Sequence, residues 1–157
     1  MRALGILWVL FWGVGCSSSG EQLYFRSFED GWSQKNVLAF NFDNQTVSES
    51  VNMFLYIRNS EDYPFANIHL ITDLIDPLGT TTTDTLTYRL AAPDGRWLGK
   101  GLLTKESKLW YKEKLALPYI GTYKIRVRHA MRHNEDEAAL ETLDGILGVG
   151  IGVEKVE

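Results

Sequence analysis

Apolar residues recur at every second position in stretch after stretch of this chain, and that alternation limits its fold more than any other feature. In 37–42, Leu38, Phe40 and Phe42 share one side before an Asp43-Asn44 turn. In 50–58, Val51, Met53, Leu55 and Ile57 oppose Asn52, Tyr56 and Arg58. The segment 67–75 is apolar on both parities, Ile68, Leu70 and Leu74 against Ile71 and Ile75, as in a central strand. The period returns in a threonine-rich run at 80–90 (Asp84, Leu86, Tyr88, Leu90) and at 122–129, where Tyr123, Ile125 and Val127 face away from Lys124, Arg126 and Arg128. It closes at 146–154, where Leu147, Val149, Ile151 and Val153 alternate with Gly148, Gly150 and Gly152.

Asp76-Pro77-Leu78-Gly79 and Ala92-Pro93-Asp94-Gly95 read as tight turns, with Pro at the second position and Gly free to take positive φ. No segment beyond the N-terminal run keeps a helical period for three turns; residues 132–145, acidic at Glu135-Asp136-Glu137, suit a short helix or a loop. The expectation is all-β: one antiparallel β-sandwich over 23–157, Ig-like or jelly-roll-like, with seven or eight strands. Pro118-Tyr119-Ile120-Gly121-Thr122-Tyr123, a turn followed by Gly-x-Tyr at a strand start, resembles the tyrosine corner of Ig-like sandwiches.

The N-terminus has another character. Arg2, an apolar run from Ala3 to Phe11 and the small residues Gly13-Val14-Gly15 have the shape of a secretory signal peptide over 1–15, too short to span a bilayer. Cys16 follows as the sole cysteine, so it has no disulfide partner within the chain. The reading is thioether attachment of diacylglycerol to Cys16 after cleavage before it, as in bacterial lipoproteins, although Gly13 stands where Leu is usual. At about 0.8 kcal/mol per buried CH2, two or three acyl chains hold a protein on a membrane almost permanently. Ser17-Ser18-Ser19-Gly20 would begin a tether over 16–22.

Without residues 1–15 the chain has 15 basic against 20 acidic side chains, a mild negative balance that excludes a phosphate-backbone footprint. Gly95-Arg96-Trp97-Leu98-Gly99-Lys100-Gly101 fails the phosphate-loop template: the glycine spacing is one short, and Gly101 stands where Ser or Thr is needed. His69, His129 and His133 lack metal-ligand spacing, and the acidic 135–137 run lacks the pattern of a calcium loop. No nucleophile elbow or recognisable carboxylate pair is present. The chain reads as non-enzymatic, with no cofactor, metal or nucleic-acid partner and no small-molecule ligand expected.

Three surface features invite a functional reading. Lys124, Arg126 and Arg128 form a basic row on one sheet face, either solvated or a strip for lipid headgroups or an acidic partner. Trp97, Trp110 and Tyr111, read as flanking turns in 95–112, either cap the core edge or anchor another protein. The glycine row at 148, 150 and 152 admits a neighbouring aromatic or leaves a face open to a partner.

These segments together resemble a known family. YPFAN at 63–67, DTLTYRL at 84–90, PDGRWLGKG at 93–101, KLWYKEKLALPYIGTYKIRVRHAMR at 108–132 and LDGILGVGIGVEK at 143–155 are similar to the gliding-motility lipoproteins GldH of Bacteroidetes. The resemblance covers nearly the whole chain, and its most specific parts are 97–101 and 109–113. It implies a cell-envelope lipoprotein serving gliding, the associated type IX protein secretion, or both, with other envelope proteins as partners. It brings no catalytic residue and carries over a chemical role only to Cys16. Ser17, not an acidic residue, follows the cysteine, which favours the outer over the inner membrane, and Glu21 is the only acid of the tether, which favours the periplasmic face over surface export. A different reading is an envelope-anchored glycan-binding sandwich with Trp32, Trp97 and Trp110 lining one cleft or face.

Overall fold

The alternating segments become strands whose apolar parity points into one shared core. The structure is a computed structural model and describes residues 20–133 and 138–156. The strands are β1 (Gln22–Ser27), β2 (Trp32–Ser33), β3 (Leu38–Asn44), β4 (Glu49–Asn59), β5 (Asn67–Ile75), β6 (Thr81–Arg89), β7 (Lys105–Leu117), β8 (Gly121–His129), β9 (Thr142–Leu143) and β10 (Ile146–Lys155). The first sheet has the order β1-β10-β4-β7, the second β3-β8-β5-β6, and β2 pairs with β9. Every pairing is antiparallel, so the architecture is the expected β-sandwich. The signal segment 1–15, Cys16 and the acidic run 135–137 lie outside the described residues. Glu21 and Gln22, counted with the tether, are already engaged: Gln22 pairs with Val153 on β10.

The inner faces come from the residues that alternation selects. Val51, Met53, Leu55 and Ile57 of β4 and Val149, Ile151 and Val153 of β10 meet Leu38, Phe40 and Phe42 of β3, Ile68, Leu70 and Leu74 of β5, and Tyr123, Ile125 and Val127 of β8. Trp32 is wholly buried, its indole N–H donating to the Asn36 carbonyl at 2.9 Å. In 132–145 the strand β9 forms beside β2. The expected corner is present: the Tyr123 hydroxyl donates to the Tyr119 carbonyl at 3.2 Å and stacks its ring on Phe42. Both turns form, with the Gly79 N–H donating to Asp76 at 3.0 Å and the Gly95 N–H to Ala92 at 2.9 Å.

Two readings need correction. Trp110 and Tyr111 do not flank a turn but stand inside β7, a strand of 13 residues. Its alternation is hidden because the β4–β7 register shifts twice, between Val51 and Met53 and between Met53 and Phe54. Lys114 takes φ 48° there, and its N–H donates to the Asn52 side chain at 2.9 Å. At the start of β10 a register shift between Ile146 and Gly148 puts Ile146 into the core and leaves Leu147 half-buried.

Register fixes what lies at each end. Gln22 pairs with Val153, Val51 with Lys155, Glu49 with Leu117, Asn44 with Gly121 and Ile75 with Lys124. Gly20, the β3–β4, β5–β6 and β7–β8 connections and the end of β10 therefore share one end of the sandwich. The connections β4–β5, β6–β7 and β8–β9 share the other.

Candidate interaction surface

The outer face of the first sheet is built around a strand that presents almost no side chains to it. On β10 the outward positions are Gly148, Gly150 and Gly152, which leaves a trough between β1 and β4. Phe25, opposite Gly150, lies in it: a Cβ at Gly148 would stand 2.3 Å from the Phe25 ring, and one at Gly150 2.4 Å. Arg58 covers the other side of that ring, its guanidinium carbon 4.1 Å from the centroid. Over Gly152 sits the Glu21 carboxylate, which accepts from the Tyr56 hydroxyl and pairs with Lys108 at 3.3 Å. The glycine row is therefore covered from β1, mainly by an aromatic ring.

Next to the trough the face is aromatic and partly open. Leu23, Gly152, Phe54 and Trp110 form one cross-strand row over β1, β10, β4 and β7. Phe54 is buried although it points away from the core, because Trp110 tilts against it at 4.4 Å and the Lys108 ammonium stands 4.0 Å over its ring. Trp110 itself is 54% exposed and Leu23 51%. Partial burial alone would lower the Lys108 pKa, but Glu154, Tyr56 and Glu21 outweigh it and hold the ammonium above its usual range. Tyr56 is pushed up by burial and by the Glu21 hydrogen bond. The result is a rigid aromatic platform carrying a permanently charged lysine.

The other predicted surface residues divide. Tyr111 is buried and faces inward, donating its hydroxyl to Asp84 at 3.2 Å; burial holds its pKa well above the usual tyrosine range. It is a structural residue, not an exposed anchor. Together with Lys112–Asp84 at 2.9 Å and the Tyr88 hydroxyl on the Trp110 carbonyl at 2.6 Å, it laces the edge strands β6 and β7. Trp97 is half-buried against the core, 6.3 Å from the Tyr63 ring, at the end away from Gly20.

Lys124, Arg126 and Arg128 do line the outer face of the second sheet, but Asp73 of β5 sits among them. Arg128 reaches it at 3.0 Å and Arg126 at 3.8 Å, and the Thr83 hydroxyl donates at 2.8 Å. Burial would raise the Asp73 pKa, yet these partners together pull it below the carboxylate norm. Of the basic row, Lys124 has no such partner among the described residues and is exposed.

The three histidines do not converge. His69 bonds Thr87 at 2.8 Å on the outer face, His133 is exposed, and His129 is buried edge-on against Trp32. Neither ring nitrogen of His129 has a hydrogen-bond partner of good geometry among the described residues. Burial lowers its pKa and outweighs the opposing effect of the Trp32 backbone. Among the described residues no three His, Cys, Asp or Glu side chains gather as a metal site. The shared tryptophan face of the glycan reading does not exist either, because Trp32 is in the core, Trp97 packs on it and Trp110 stands alone on the first sheet.

Sequence reasoning missed Phe25, Phe54, Lys108 and Glu21. The available signal was two aromatics, Phe54 and Tyr56, on the parity of β4 opposite its core residues.

The family model for the GldH lipoprotein matches residues 24–153. The chain belongs to the GldH lipoprotein family. It is 35% identical over 156 residues to the gliding motility lipoprotein GldH homolog of Christiangramia forsetii, covering 98% of this chain and 96% of that one. It is also 35% identical over 132 residues to the gliding motility lipoprotein GldH of Flavobacterium johnsoniae, covering 83% and 82%. Among solved structures, one of the infectious bursal disease virus Gx strain aligns over 88% of this chain and 33% of that one, with 15% identity and a TM-score of 0.37, too distant to carry any reading.

Proposed function

We propose that this GldH-family chain is a lipid-anchored cell-envelope protein that serves gliding motility and the linked type IX protein secretion through protein contacts, without catalysis. Its anchor is Cys16, and its membrane is the outer one, on the periplasmic face. The two GldH relatives carry gliding motility in their names, which supports the first part.

The observation that carries the contact reading is Trp110, 54% exposed yet seated on Phe54 beside Lys108. A large aromatic that stays exposed but is immobilised from below loses little freedom on binding, and tryptophans of this kind dominate binding energy at protein interfaces. Lys124 on the second sheet has neither an aromatic neighbour nor a fixed geometry, and so makes a suitable control.

Trp110→Ser should abolish gliding and secretion in complemented cells while lowering the melting temperature by only a few degrees; Lys124→Ser should leave both functions and the melting temperature unchanged. Full function in the Trp110→Ser strain would overturn the contact reading. Cys16→Ser should lose palmitate labelling and membrane association, and a variant that keeps both would refute the anchor.

A further inference from the structure

The exposed large apolar side chains of the described residues gather mainly at the two ends of the sandwich. Leu98, Leu102 and Leu103 lie in the β6–β7 connection at one end. At the other stand Val47 (59% exposed), Leu78 (70%), Tyr119 (39%) and Ile120 (59%). These four come from three different connections, β3–β4, β5–β6 and β7–β8, and share their end with Gly20.

The three connections are joined into one platform. The Asn44 side-chain amide donates to the Thr46 carbonyl at 2.9 Å and to the Tyr119 carbonyl at 2.8 Å, which ties the first to the third. Gly121 packs on Pro77 so closely that a Cβ would stand 3.1 Å from the ring, which ties the third to the second. The Tyr123 hydroxyl holds Tyr119 from beneath. Acidic groups at this end are already engaged: Asp43 accepts from Thr122 at 2.6 Å, Asp76 from the Leu78 and Thr80 N–H groups, and Glu49 pairs with Lys155 at 2.8 Å. Of these three, only Glu49 is paired with a cation; Asp43 and Asp76 are held by neutral donors and keep their charge.

Chain length decides what covers the platform. Only four peptide steps separate Gly20 from Cys16, a reach of about 14 Å at most. The eleven residues of β4 run from this end to the other, roughly 35 Å away. A lipid on Cys16 therefore keeps the Gly20 end beside the bilayer and leaves the Leu102 end out of its reach.

We infer that Val47, Leu78, Tyr119 and Ile120 form a membrane-resting platform that seats the Gly20 end of the sandwich in the lipid interface. The acyl chains supply affinity, and the platform sets orientation: with three loops in the headgroup region, the strands stand upright and present both outer faces sideways. Interfacial side chains of this kind enter about 5–10 Å, to the headgroup–acyl boundary. The inference rests on the Cys16 anchor proposed above.

The test uses the full-length lipidated protein reconstituted in vesicles of phosphatidylethanolamine and phosphatidylglycerol containing a lipid spin-labelled near its headgroup. Because thioether formation consumes the native cysteine, a fluorophore can be placed singly at Val47→Cys, Leu78→Cys or Ile120→Cys, with Leu102→Cys as the control. Quenching at 47, 78 and 120 should exceed that at 102 by roughly twofold or more, as the depth difference requires. In a Val47→Ser/Leu78→Ser/Ile120→Ser chain labelled at Tyr119→Cys, quenching should fall well below that of the same label in a chain that keeps the three apolar residues; equal quenching in the two would mean that the short tether alone brings this end to the bilayer, and would overturn the platform. Flotation of the protein with all four labels equally unquenched overturns the platform and leaves the anchor standing. Failure to float with the vesicles overturns the Cys16 reading and the platform with it. Labels unquenched in vesicles yet shielded in cells would assign the platform to a protein partner and overturn the lipid assignment.

Discussion

The two sheets bury similar inner faces, yet their outer faces are built on opposite principles. The second sheet shows solvent the composition expected of it, threonines on β6 and a basic row on β8 quieted by Asp73. The first sheet has glycines where side chains should stand, and fills the gap with Phe25 of the edge strand β1 and Glu21 just before it. That gives β4 burial on both sides and makes Phe54 and Trp110 neighbours on a surface. One outer face is merely solvated, whereas the other is a packed layer one side chain thick.

The contrast should show first in steric tolerance. Gly150→Val drives a branched side chain into the Phe25 ring and should destabilise by about 2–3 kcal/mol in a denaturant titration, with Phe25→Ala restoring part of the loss. Thr85→Val, exposed on the second sheet, should stay within about 0.5 kcal/mol. Equal effects at the two sites would erase the distinction between the faces.

Charge on the second sheet should matter less. Arg128→Ala removes the closest cation of Asp73 and should lower stability by about 1 kcal/mol at neutral pH. Asp73 has a depressed pKa, so its contribution is present above the ordinary carboxylate value of 3.8 and is lost as pH falls through the depressed one. The difference between wild type and variant should shrink over that acidic range; a constant difference would mean that Arg128 acts through packing.

Between the sheets, His129 is neutral when folded and has a lowered pKa, whereas the unfolded histidine binds a proton near its ordinary 6.5. Stability should therefore decline as pH falls below 6.5, and His129→Phe should flatten that slope in melting curves taken from pH 7.5 to 5. A slope unchanged by the substitution would place the proton elsewhere. Trp110→Ser should cost about 1 kcal/mol, because over half of the ring is already in water but its loss uncovers Phe54.

Much of this body was legible where side chains alternate cleanly. β3, β4, β5, β6, β8 and β10 follow from period two, and the turns at 76–79 and 92–95 from Pro and Gly. β7 was not, since two register shifts against β4 break its parity and its charges read as a connection. Nor was strand order: apart from the β5–β6 hairpin, chain neighbours fall in different sheets, so pairing partners are distant in sequence. The glycine row hinted at a close neighbour, but that Phe25 would fill it depends on β1 lying beside β10. Tyr111 and Trp110 show the limit most plainly: adjacent in sequence, one is a buried hydroxyl donor and the other an exposed ring on the outer face.

The measurement that bears most directly on the contact surface is photo-crosslinking in living cells from positions 110 and 23 on the first sheet against 124 and 85 on the second. Discrete adducts with the same envelope protein from both 110 and 23, and none from 124 or 85, are expected. Adducts that come only from the second sheet, or equally from all four positions, would contradict the assignment of binding to the aromatic face.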